Sequence, residues 1–384
     1  MTYKITNSWK NKKGWYFGLL SDNFFSRDSP SVQRLRGSQL REVLVSSGSV
    51  ALIKSGQALS LRPDLLKNKI WAAELGKLVD AVGSFSDVDA MNIMKKELKD
   101  LPTLTNGSRI GSGSSKNKNK KSLGKKQKLS KIEKMVASDP ILSLFEFSNS
   151  NLAVASASVG QVYKARIKRG PALEAAIGRV EAAKWGGKTV AIKIQRPDVA
   201  AAASLDMYLL RRTALWLSKF RGGDLVGIAD TFGQQLFGEL DYIRESNNCE
   251  RFRELYGDWG NIKVPKACVP LTRKRVLVME WINGEKGPWR DKEGLDMVSL
   301  GLKCSVDQLL NTGLFHADPH RGNLLRDKNG NLVFIDFGMM ADVTEEERYG
   351  LIGLAIGLQN KDLPLITENL LKVSSLDFIL CLVI

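Results

Sequence analysis

FHADPHRGNLLRDKNGNLVFIDFGM, residues 315–339, is the stretch of sequence that decides the fold. It contains both histidines of the protein, and it places Asp318, Asn323 and Asp336 around a short apolar run. Asp318 can accept a proton from a hydroxyl group, whereas an amide and a carboxylate are oxygen ligands suited to Mg²⁺. A transferring phosphate needs little covalent help from a protein, but metal ions must balance its charge. The set therefore favours phosphoryl transfer over a hairpin in which Asp and Asn only cap turns.

The same three residues follow the order of the protein-kinase signature. In that signature a catalytic-loop Asp precedes an Asn by five positions, and an Asp-Phe-Gly motif follows the next hairpin. Asp318 would then be the catalytic base, while Asn323 and Asp336 would hold the metal. The sequence thus predicts ATP and Mg²⁺ as cofactors.

A kinase site also requires a lysine for the nucleotide phosphates and an acidic partner for that lysine. The alternating β-branched segment TVAIKI, residues 189–194, predicts a strand that carries Lys193 at the lysine position of the VAIK motif. The proline-free segment 231–256 predicts a helix, on which we assign Glu245 as the partner. A strand lysine is more often simply exposed, but the order of strand, acidic helix and catalytic loop favours the functional interpretation.

The segment ahead of this lysine lacks the glycine-rich pattern of an ordinary phosphate loop. NLAVASASVGQVY, residues 151–163, supplies small residues followed by a strand instead. Each alanine carries a Cβ atom that narrows its backbone freedom relative to glycine, so we expect a stiffer loop. We assign nucleotide binding to the centre of this loop, which comprises Ala155, Ser156, Ala157, Ser158 and Val159.

The segment VLVMEWINGE, residues 276–285, predicts a buried strand that ends in a hinge. The backbone groups of Glu280 and Ile282 would contact an adenine there. These two positions complete the nucleotide-binding residues that the kinase pattern itself indicates.

Together these features resemble the UbiB-type atypical kinase family, the protein-kinase-like proteins of quinone synthesis. The family is marked by an alanine-rich loop in place of the glycines. Its KxGQ and ExD motifs are matched by KSGQ, residues 54–57, and by ELD, residues 239–241. The resemblance covers roughly residues 34–100 and 151–371.

The resemblance implies an α+β, protein-kinase-like two-lobe fold with an N-terminal helical KxGQ extension. Lys54 and Gln57 would reach into the nucleotide pocket. With Glu239 and Asp241, they would block the groove where an ordinary kinase places a protein substrate. The resemblance therefore implies a self-inhibited site.

Three positions depart from the family pattern. Ser156 stands where alanine is usual, Ala153 where proline is common, and Arg321 where the family normally has proline. Serine is small enough to be tolerated, and Arg321 either tightens nucleotide binding or faces solvent. Neither Ser156 nor Arg321 removes a metal ligand. The sequence ends at Ile384 where the family continues through further helices, so we expect a shortened C-lobe.

Changes in composition predict four parts of the chain. They are an N-terminal helical extension with the KxGQ motif (1–105), a disordered Lys/Ser/Gly-rich insert (106–130), a kinase-like N-lobe (131–282) and a partial kinase-like C-lobe (283–384). Within the first part, apolar periodicity predicts helices over 39–61, 65–82 and 86–98.

The formal charge of +16 suggests an anionic partner, but much of it is local. Residues 116–134 hold nine lysines against one glutamate and supply a net +8. A solvated linker is the default interpretation of such a run. Because the run lacks aromatic residues that would stack on bases, an anionic membrane surface is a more plausible partner than nucleic acid.

The N-terminus is polar and lysine-rich, unlike a secretory signal. Family members act mostly in mitochondria, plastids or bacteria. The KSGQALSLRPDLL and FHADPHRGNLL strings look most similar to plastid-type members, so we expect an organellar protein, peripheral to a membrane, in the chloroplast rather than the mitochondrion.

Three classes of function remain open from the sequence. An ATP-dependent phosphotransferase or ATPase that supports isoprenoid-quinone or prenyl-lipid metabolism fits every motif, with nucleotide and with lipid or quinone-pathway proteins as partners. A nucleotide-binding scaffold at a membrane surface, with little turnover, is the alternative. A basic nucleic-acid-binding protein explains only the charge.

Overall fold

The computed structural model describes residues 29–60, 66, 68–79, 83–102, 131–148, 153–221, 224–320 and 322–373. These residues form two compact units, one that ends at Val79 and one that begins at Gly83. The predicted insert 106–130, Arg321 and the last residues of the chain, 374–384, lie outside the described residues.

The first unit is helical. Its helices are α1 (Pro30–Ser46), α2 (Val50–Ser60) and α3 (Lys69–Leu75), and a 3₁₀ turn follows at Gly76–Val79. The predicted single helix over 39–61 is wrong, because Gly48 adopts a φ of +67° between α1 and α2. That left-handed conformation is open to glycine and ends a helix. Asn68 begins α3 by accepting hydrogen bonds from the amides of Ile70 and Trp71.

The second unit mixes strands and helices. Its strands are β1 (Phe145–Phe147), β2 (Ala155–Ser156), β3 (Gly160–Ile167), β4 (Thr189–Gln195), β5 (Ile262–Lys263), β6 (Val276–Glu280), β7 (Gly284–Lys286), β8 (Leu314–His316), β9 (Leu324–Asp327), β10 (Leu332–Phe334) and β11 (Met340–Asp342). Its helices are α4 (Asp87–Glu97), α5 (Lys131–Ser138), α6 (Pro171–Ile177), α7 (Arg179–Trp185), α8 (Val199–Arg221), α9 (Leu225–Gly238), α10 (Tyr242–Tyr256), α11 (Lys292–Asp307), α12 (Glu345–Asn360) and α13 (Leu363–Lys372).

A five-stranded antiparallel sheet carries the predicted lysine. Its order is β1-β3-β4-β6, with β2 paired to β3 at one end. In this register Lys193 of β4 lies opposite Val162 of β3 and Leu277 of β6. Alternate residues of β4 such as Ile192 and Ile194 are fully buried in the core, so Lys193 projects from the opposite face.

Helix α4 belongs to the core of this sheet. Ala90, Met91 and Met94 are fully buried in the same cluster as Ile192 and Ile194. The division between the two units therefore falls near residue 82, whereas the sequence placed the end of the N-terminal extension at 105. Composition could not locate this division, because α4 differs from the preceding helices only in what it packs against.

The acidic segment is two helices and not one. Helix α9 ends at Gly238, and Asp241 begins α10 by accepting hydrogen bonds from the amides of Ile243 and Arg244. The prediction of a continuous helix over 231–256 is therefore wrong. Glu245 lies in the first turn of α10.

Two further sheets are formed mainly by strands that follow the hinge in the chain. One has the order β5-β10-β9-β7, and the other pairs β8 with β11. Segment 276–285 was predicted as a buried strand that ends in a hinge: the strand is β6, which ends at Glu280, and after a short connection β7 begins at Gly284 in the next sheet. In the β8–β11 pair, His316 lies opposite Met340. This pairing brings the two ends of segment 317–339, which contains Asp318 and the Asp-Phe-Gly motif, next to each other.

Within the part of the chain that the structure describes, no helix combines the length and the apolar character needed to cross a bilayer. Helix α8 is long enough, but charged residues interrupt its apolar stretches.

An aromatic cluster anchors α10 to the second part of this unit. Phe252 is fully buried, and its ring centroid lies 5.1 Å from that of Phe334 and 5.4 Å from that of Phe337. The ring of Tyr256, one turn further along α10, contacts that of Phe252 at a centroid distance of 4.8 Å. The cluster fixes the helix that carries Glu245 against the Asp-Phe-Gly segment.

We expect Phe252→Ala to lower the free energy of unfolding by about 3–5 kcal/mol, because it removes a fully buried ring and leaves a cavity. Urea denaturation followed by circular dichroism measures the loss. Phe220→Ala is the matched control, since Phe220 is 71% exposed on α8 and should cost less than about 1 kcal/mol. Equal losses in the two variants would contradict the anchoring role of Phe252.

Candidate active site

The centre of the site is the ammonium group of Lys193, which three carboxylate oxygens surround. Its Nζ donates to Glu245 Oε1 at 2.8 Å, to Glu245 Oε2 at 2.9 Å and to Asp336 Oδ2 at 2.9 Å. Three secondary-structure elements supply these side chains: β4, the first turn of α10 and the turn after β10. The structure thus brings together three residues that the sequence separates by up to 143 positions.

Burial and charge act in opposite directions on this group. Burial by itself would lower the pKa of Lys193, but the charges of Asp336 and Glu245 outweigh it and hold that pKa well above its ordinary value. Burial, reinforced by the charge of Asp336, raises the pKa of Glu245 to about 7 against the opposing effect of Lys193. The geometry favours the charged pair, because both Glu245 oxygens accept from the same ammonium group.

The loop between β8 and β9 holds Asp318 and Asn323 in a fixed relation. Asn323 Nδ2 donates to the backbone oxygen of Asp318 at 3.0 Å, and the amide of Ile335 donates to Asn323 O at the same distance. Because Nδ2 faces Asp318, the amide oxygen of Asn323 points away from it. His320 Nε2 lies 3.5 Å from Asp318 Oδ2. The structure therefore places Asp318, Asn323 and Asp336 around the base of one hairpin.

Two residues that the sequence argument did not assign hold this arrangement. His316 is buried, and its Nε2 lies 2.7 Å from the backbone oxygen of Asp336. Its Nδ1 accepts from the amide of Asp318 at 3.2 Å, so the proton is on Nε2. Burial lowers the pKa of His316, which keeps the ring neutral. Asn248 Nδ2 donates to Phe337 O at 3.0 Å from helix α10.

The spacing of residues in the sequence could have indicated His316 and Asn248. His316 precedes Asp318 by two positions, as the histidine of the kinase His-Arg-Asp motif precedes its aspartate. Asn248 follows Glu245 by three positions and so shares a helical face with it. Only the fold shows which backbone oxygens these two side chains reach.

The small-residue loop runs from β2 to the start of β3. Ala155 is exposed, Ser156 and Ala157 are half-buried, and Ser158 and Val159 are buried. Glycine is required immediately after them, because a Cβ atom on Gly160 would lie 2.6 Å from the backbone oxygen of Ile194 and 2.5 Å from Tyr242 Oη. This loop end is therefore packed directly onto β4 beside Lys193.

The hinge residues lie where the two large sheets of this unit meet. The amide of Glu280 donates to Lys266 O at 2.8 Å, and that of Trp281 donates to Thr189 O at 3.1 Å. An adenine contact at Glu280 would accordingly use its carbonyl oxygen. Ile282 follows in the short connection to β7.

The motif residues of the resemblance lie in different places. Glu239 is buried beside the Asp-Phe-Gly turn, where a Cβ atom on Gly338 would meet Glu239 Cγ at 3.5 Å. Asp241 caps α10. Lys54 and Gln57 lie on α2 of the first unit, where Gln57 Nε2 donates to Leu78 O at 3.2 Å. Their approach to the nucleotide pocket stays a prediction.

The donor set fits Mg²⁺. Across the described residues, no group of three or more His, Cys, Asp or Glu side chains could hold a metal ion by itself. Mg²⁺ in phosphoryl-transfer sites takes only one or two protein oxygens, and substrate phosphates and water supply the rest. The Asp336 carboxylate and the Asn323 amide oxygen are ligands of this type.

A family comparison agrees with this geometry. Residues 121–370 match the family described as ABC1 atypical kinase-like domain. The chain therefore belongs to the ABC1 atypical kinase-like family, and the UbiB-type resemblance is confirmed. The mixed helix and sheet architecture with a kinase-like domain is confirmed as well.

Three relatives show how far the similarity extends. An uncharacterized chloroplastic aarF domain-containing protein kinase of Arabidopsis thaliana is 34% identical over 94% of this chain and 44% of its own length. An uncharacterized Synechocystis protein is 34% identical over 91% of this chain and 44% of its own. The chloroplastic Arabidopsis protein ACTIVITY OF BC1 COMPLEX KINASE 3 is 34% identical over 85% of this chain and 39% of its own length. The chain spans less than half the length of these relatives.

A solved structure supports the fold alone. The protein Rv3197 of Mycobacterium tuberculosis, determined as a complex with erythromycin, matches with a TM-score of 0.50 and 24% identity. The match covers 82% of this chain and 67% of that one.

We expect Asp336→Asn to abolish Mg²⁺-dependent nucleotide binding while the protein stays folded. The change removes the carboxylate that would balance the metal and the triphosphate, whereas Lys193 keeps both bonds to Glu245. Calorimetric titration with Mg-ATP measures the affinity, and circular dichroism controls for folding. Unchanged Mg-ATP affinity would contradict the metal assignment.

Proposed function

We propose that this protein is an ATP-binding atypical kinase or ATPase of the UbiB type. The observation that carries the proposal is the Lys193 ammonium group, held at 2.8–2.9 Å by Glu245 and Asp336 beside the loop of Asp318 and Asn323. A lysine, its acidic helix partner and an Asp-Phe-Gly aspartate in mutual contact are the parts that kinases require for phosphoryl transfer.

Each residue has a defined role in this proposal. Lys193 would contact the nucleotide phosphates, and Glu245 would hold it in place. Asn323 and Asp336 would hold Mg²⁺, which neutralises the charge that develops on the transferring phosphate. Asp318 would accept the proton of the attacking hydroxyl group. The small-residue loop would cover the phosphates, and Glu280 and Ile282 would contact the adenine.

We extend the proposal to the setting in which the protein acts. Relatives named as chloroplastic kinases support a chloroplast location. The lysine-rich run in residues 116–134 supports peripheral attachment to an anionic membrane. A role in isoprenoid-quinone or prenyl-lipid metabolism, with lipid or quinone-pathway proteins as partners, follows from the UbiB-type resemblance.

A second candidate is a nucleotide-binding scaffold with little turnover. Lysine has three N–H donors, and in this structure Glu245 and Asp336 accept from them at three oxygens. A phosphate contact would require one of these bonds to be exchanged. If that exchange is unfavourable, the protein would bind nucleotide without efficient transfer.

Turnover separates the two candidates. We expect purified protein to hydrolyse ATP only with Mg²⁺, and faster with anionic liposomes present. Lys193→Met should lower the rate by about a hundredfold, since it removes a preorganised charge at the phosphates. Lys184→Met is the matched control on α7 and should keep wild-type activity. Nucleotide binding without any Mg²⁺-dependent hydrolysis would favour the scaffold.

The KxGQ motif and the loop predict self-inhibition. The wild type should bind nucleotide but phosphorylate itself poorly. Ala155→Gly should raise autophosphorylation or change the ADP/ATP preference, because it frees the backbone at an exposed loop position. Lys54→Arg should also raise autophosphorylation, because a planar guanidinium in place of the compact ammonium would disturb the predicted block of the substrate groove. Radiolabel transfer and competition binding measure both effects. If both variants behave as wild type does, self-inhibition is wrong for this chain.

A further inference from the structure

The small-residue loop is tied down by a side chain outside it. Arg196, directly after β4, donates from Nε to Ala157 O at 3.1 Å and from Nη2 to Ser156 Oγ at 2.8 Å. Nη2 also donates to the backbone oxygen of Gly83, and Ser156 Oγ donates to the same oxygen at 3.1 Å. One guanidinium thus connects two consecutive loop residues to a distant backbone segment.

The segment that provides this acceptor is itself fixed. Phe85 exchanges backbone hydrogen bonds with the side chain of Gln161 on β3, at 3.1 and 3.4 Å. Tyr163, two residues along β3, donates to Asp87 at 2.6 Å. The Arg196 guanidinium lies 5.6 Å from the ring centroid of Phe85, within cation–π range. Gly83 therefore belongs to a strap, residues 83–87, that is bound to the sheet.

The main chain of Arg196 makes a further hydrogen bond to the loop. Its amide donates to Val159 O at 2.9 Å, near the end of the loop. Inside the loop, the amide of Ala157 donates to Gly160 O at 2.7 Å, and directly before β2 the amide of Val154 donates to Val162 O at 2.8 Å. These last two amides report on whether the loop is closed.

We propose that Arg196 is a positioning residue that holds the small-residue loop closed over the phosphate site, with Ser156 as its second point of attachment. The proposal rests on the nucleotide-binding function proposed above and adds the element that sets the mobility of the loop. Arginine suits this role because its planar fork presents several donors in fixed directions, whereas a lysine ammonium is a point charge. Ser156 supplies both an acceptor and a donor that an alanine lacks.

Direct contact between Arg196 and a nucleotide phosphate is the competing explanation. In the structure, Nε and Nη2 are directed at Ala157, Ser156 and Gly83. Under the positioning role, the loop of the nucleotide-free protein should loosen when Arg196 is replaced. Under direct contact, that loop should be unchanged and only nucleotide affinity should fall.

Hydrogen exchange of the nucleotide-free full chain tests the proposal. Arg196→Gln loses the guanidinium contacts to Ala157, Ser156 and Gly83, so it should speed exchange of the Val154 and Ala157 amides at least about tenfold. Ser156→Ala removes only a hydroxyl group and should speed it by a smaller factor. Adding Ser156→Ala to Arg196→Gln should give less than the product of the two effects, because both act through shared contacts.

The matched control is Arg169→Gln. Arg169 follows β3 and donates from Nε to Gly186 O at 2.9 Å, away from the loop. It should leave exchange of the loop amides at the wild-type rate. Wild-type exchange in both Arg196→Gln and Ser156→Ala would overturn the proposal, as would a rate increase of the same size in Arg169→Gln.

Nucleotide kinetics give a second readout that a purely structural role would not move. In Arg196→Gln and Ser156→Ala, the dissociation rate of a fluorescent Mg-nucleotide should rise at least about threefold with little change in the association rate. Reduced affinity in Arg196→Gln with unchanged loop exchange would overturn the positioning role in favour of direct contact. If the wild type binds no nucleotide, the proposed function fails, and the exchange experiment still decides whether Arg196 holds the loop.

Discussion

The ammonium group of Lys193 is the point on which the site depends. Its Nζ joins the five-stranded sheet, helix α10 and the Asp-Phe-Gly turn through one atom. Glu245 is almost fully buried, and a buried carboxylate without a partner is costly, commonly by about 3–5 kcal/mol. Lys193 therefore stabilises the buried Glu245 carboxylate in addition to its role in the proposed chemistry, and it connects α10 to Asp336.

A neutral hydrogen-bond network supports this charged centre. His316 connects the amide of Asp318 to the backbone oxygen of Asp336, and Asn248 reaches the oxygen of Phe337 from α10. Because burial keeps His316 neutral, its two nitrogens keep distinct donor and acceptor roles. The loop of Asp318 and the Asp-Phe-Gly turn are consequently held in one geometry, which is the preorganisation that the proposed electrostatic catalysis would need.

The stiffness of the loop has two sources that act at different levels. Alanine Cβ atoms restrict the backbone locally, and this effect is evident from composition. The hydrogen bonds from Arg196 restrict it through contacts with a segment 113 residues earlier in the chain. The second source involves Ser156, which the sequence analysis assigned to nucleotide binding and treated as a tolerated departure from alanine. Its hydroxyl group instead makes two of the contacts that hold the loop.

The sequence by itself determined the elements whose signals are local. The kinase-type spacing placed Asp318 and Asn323 before a hairpin and Asp336 after it, and β9 and β10 form that hairpin. The β-branched pattern around Lys193 likewise predicted a strand, and chain order favoured a functional role for this lysine. Glu245 was chosen as its partner from the acidic residues of the segment that follows.

The tertiary structure decided the rest. Periodicity alone did not reveal the breaks at Gly48 and between α9 and α10, because a glycine or a capping aspartate interrupts a helix without altering the apolar pattern around it. Nor does any spacing in the sequence connect Arg196 to Gly83. Contacts between segments that are far apart in the chain depend on how the helices and strands pack. The linear order of residues does not show how close two such side chains lie in space.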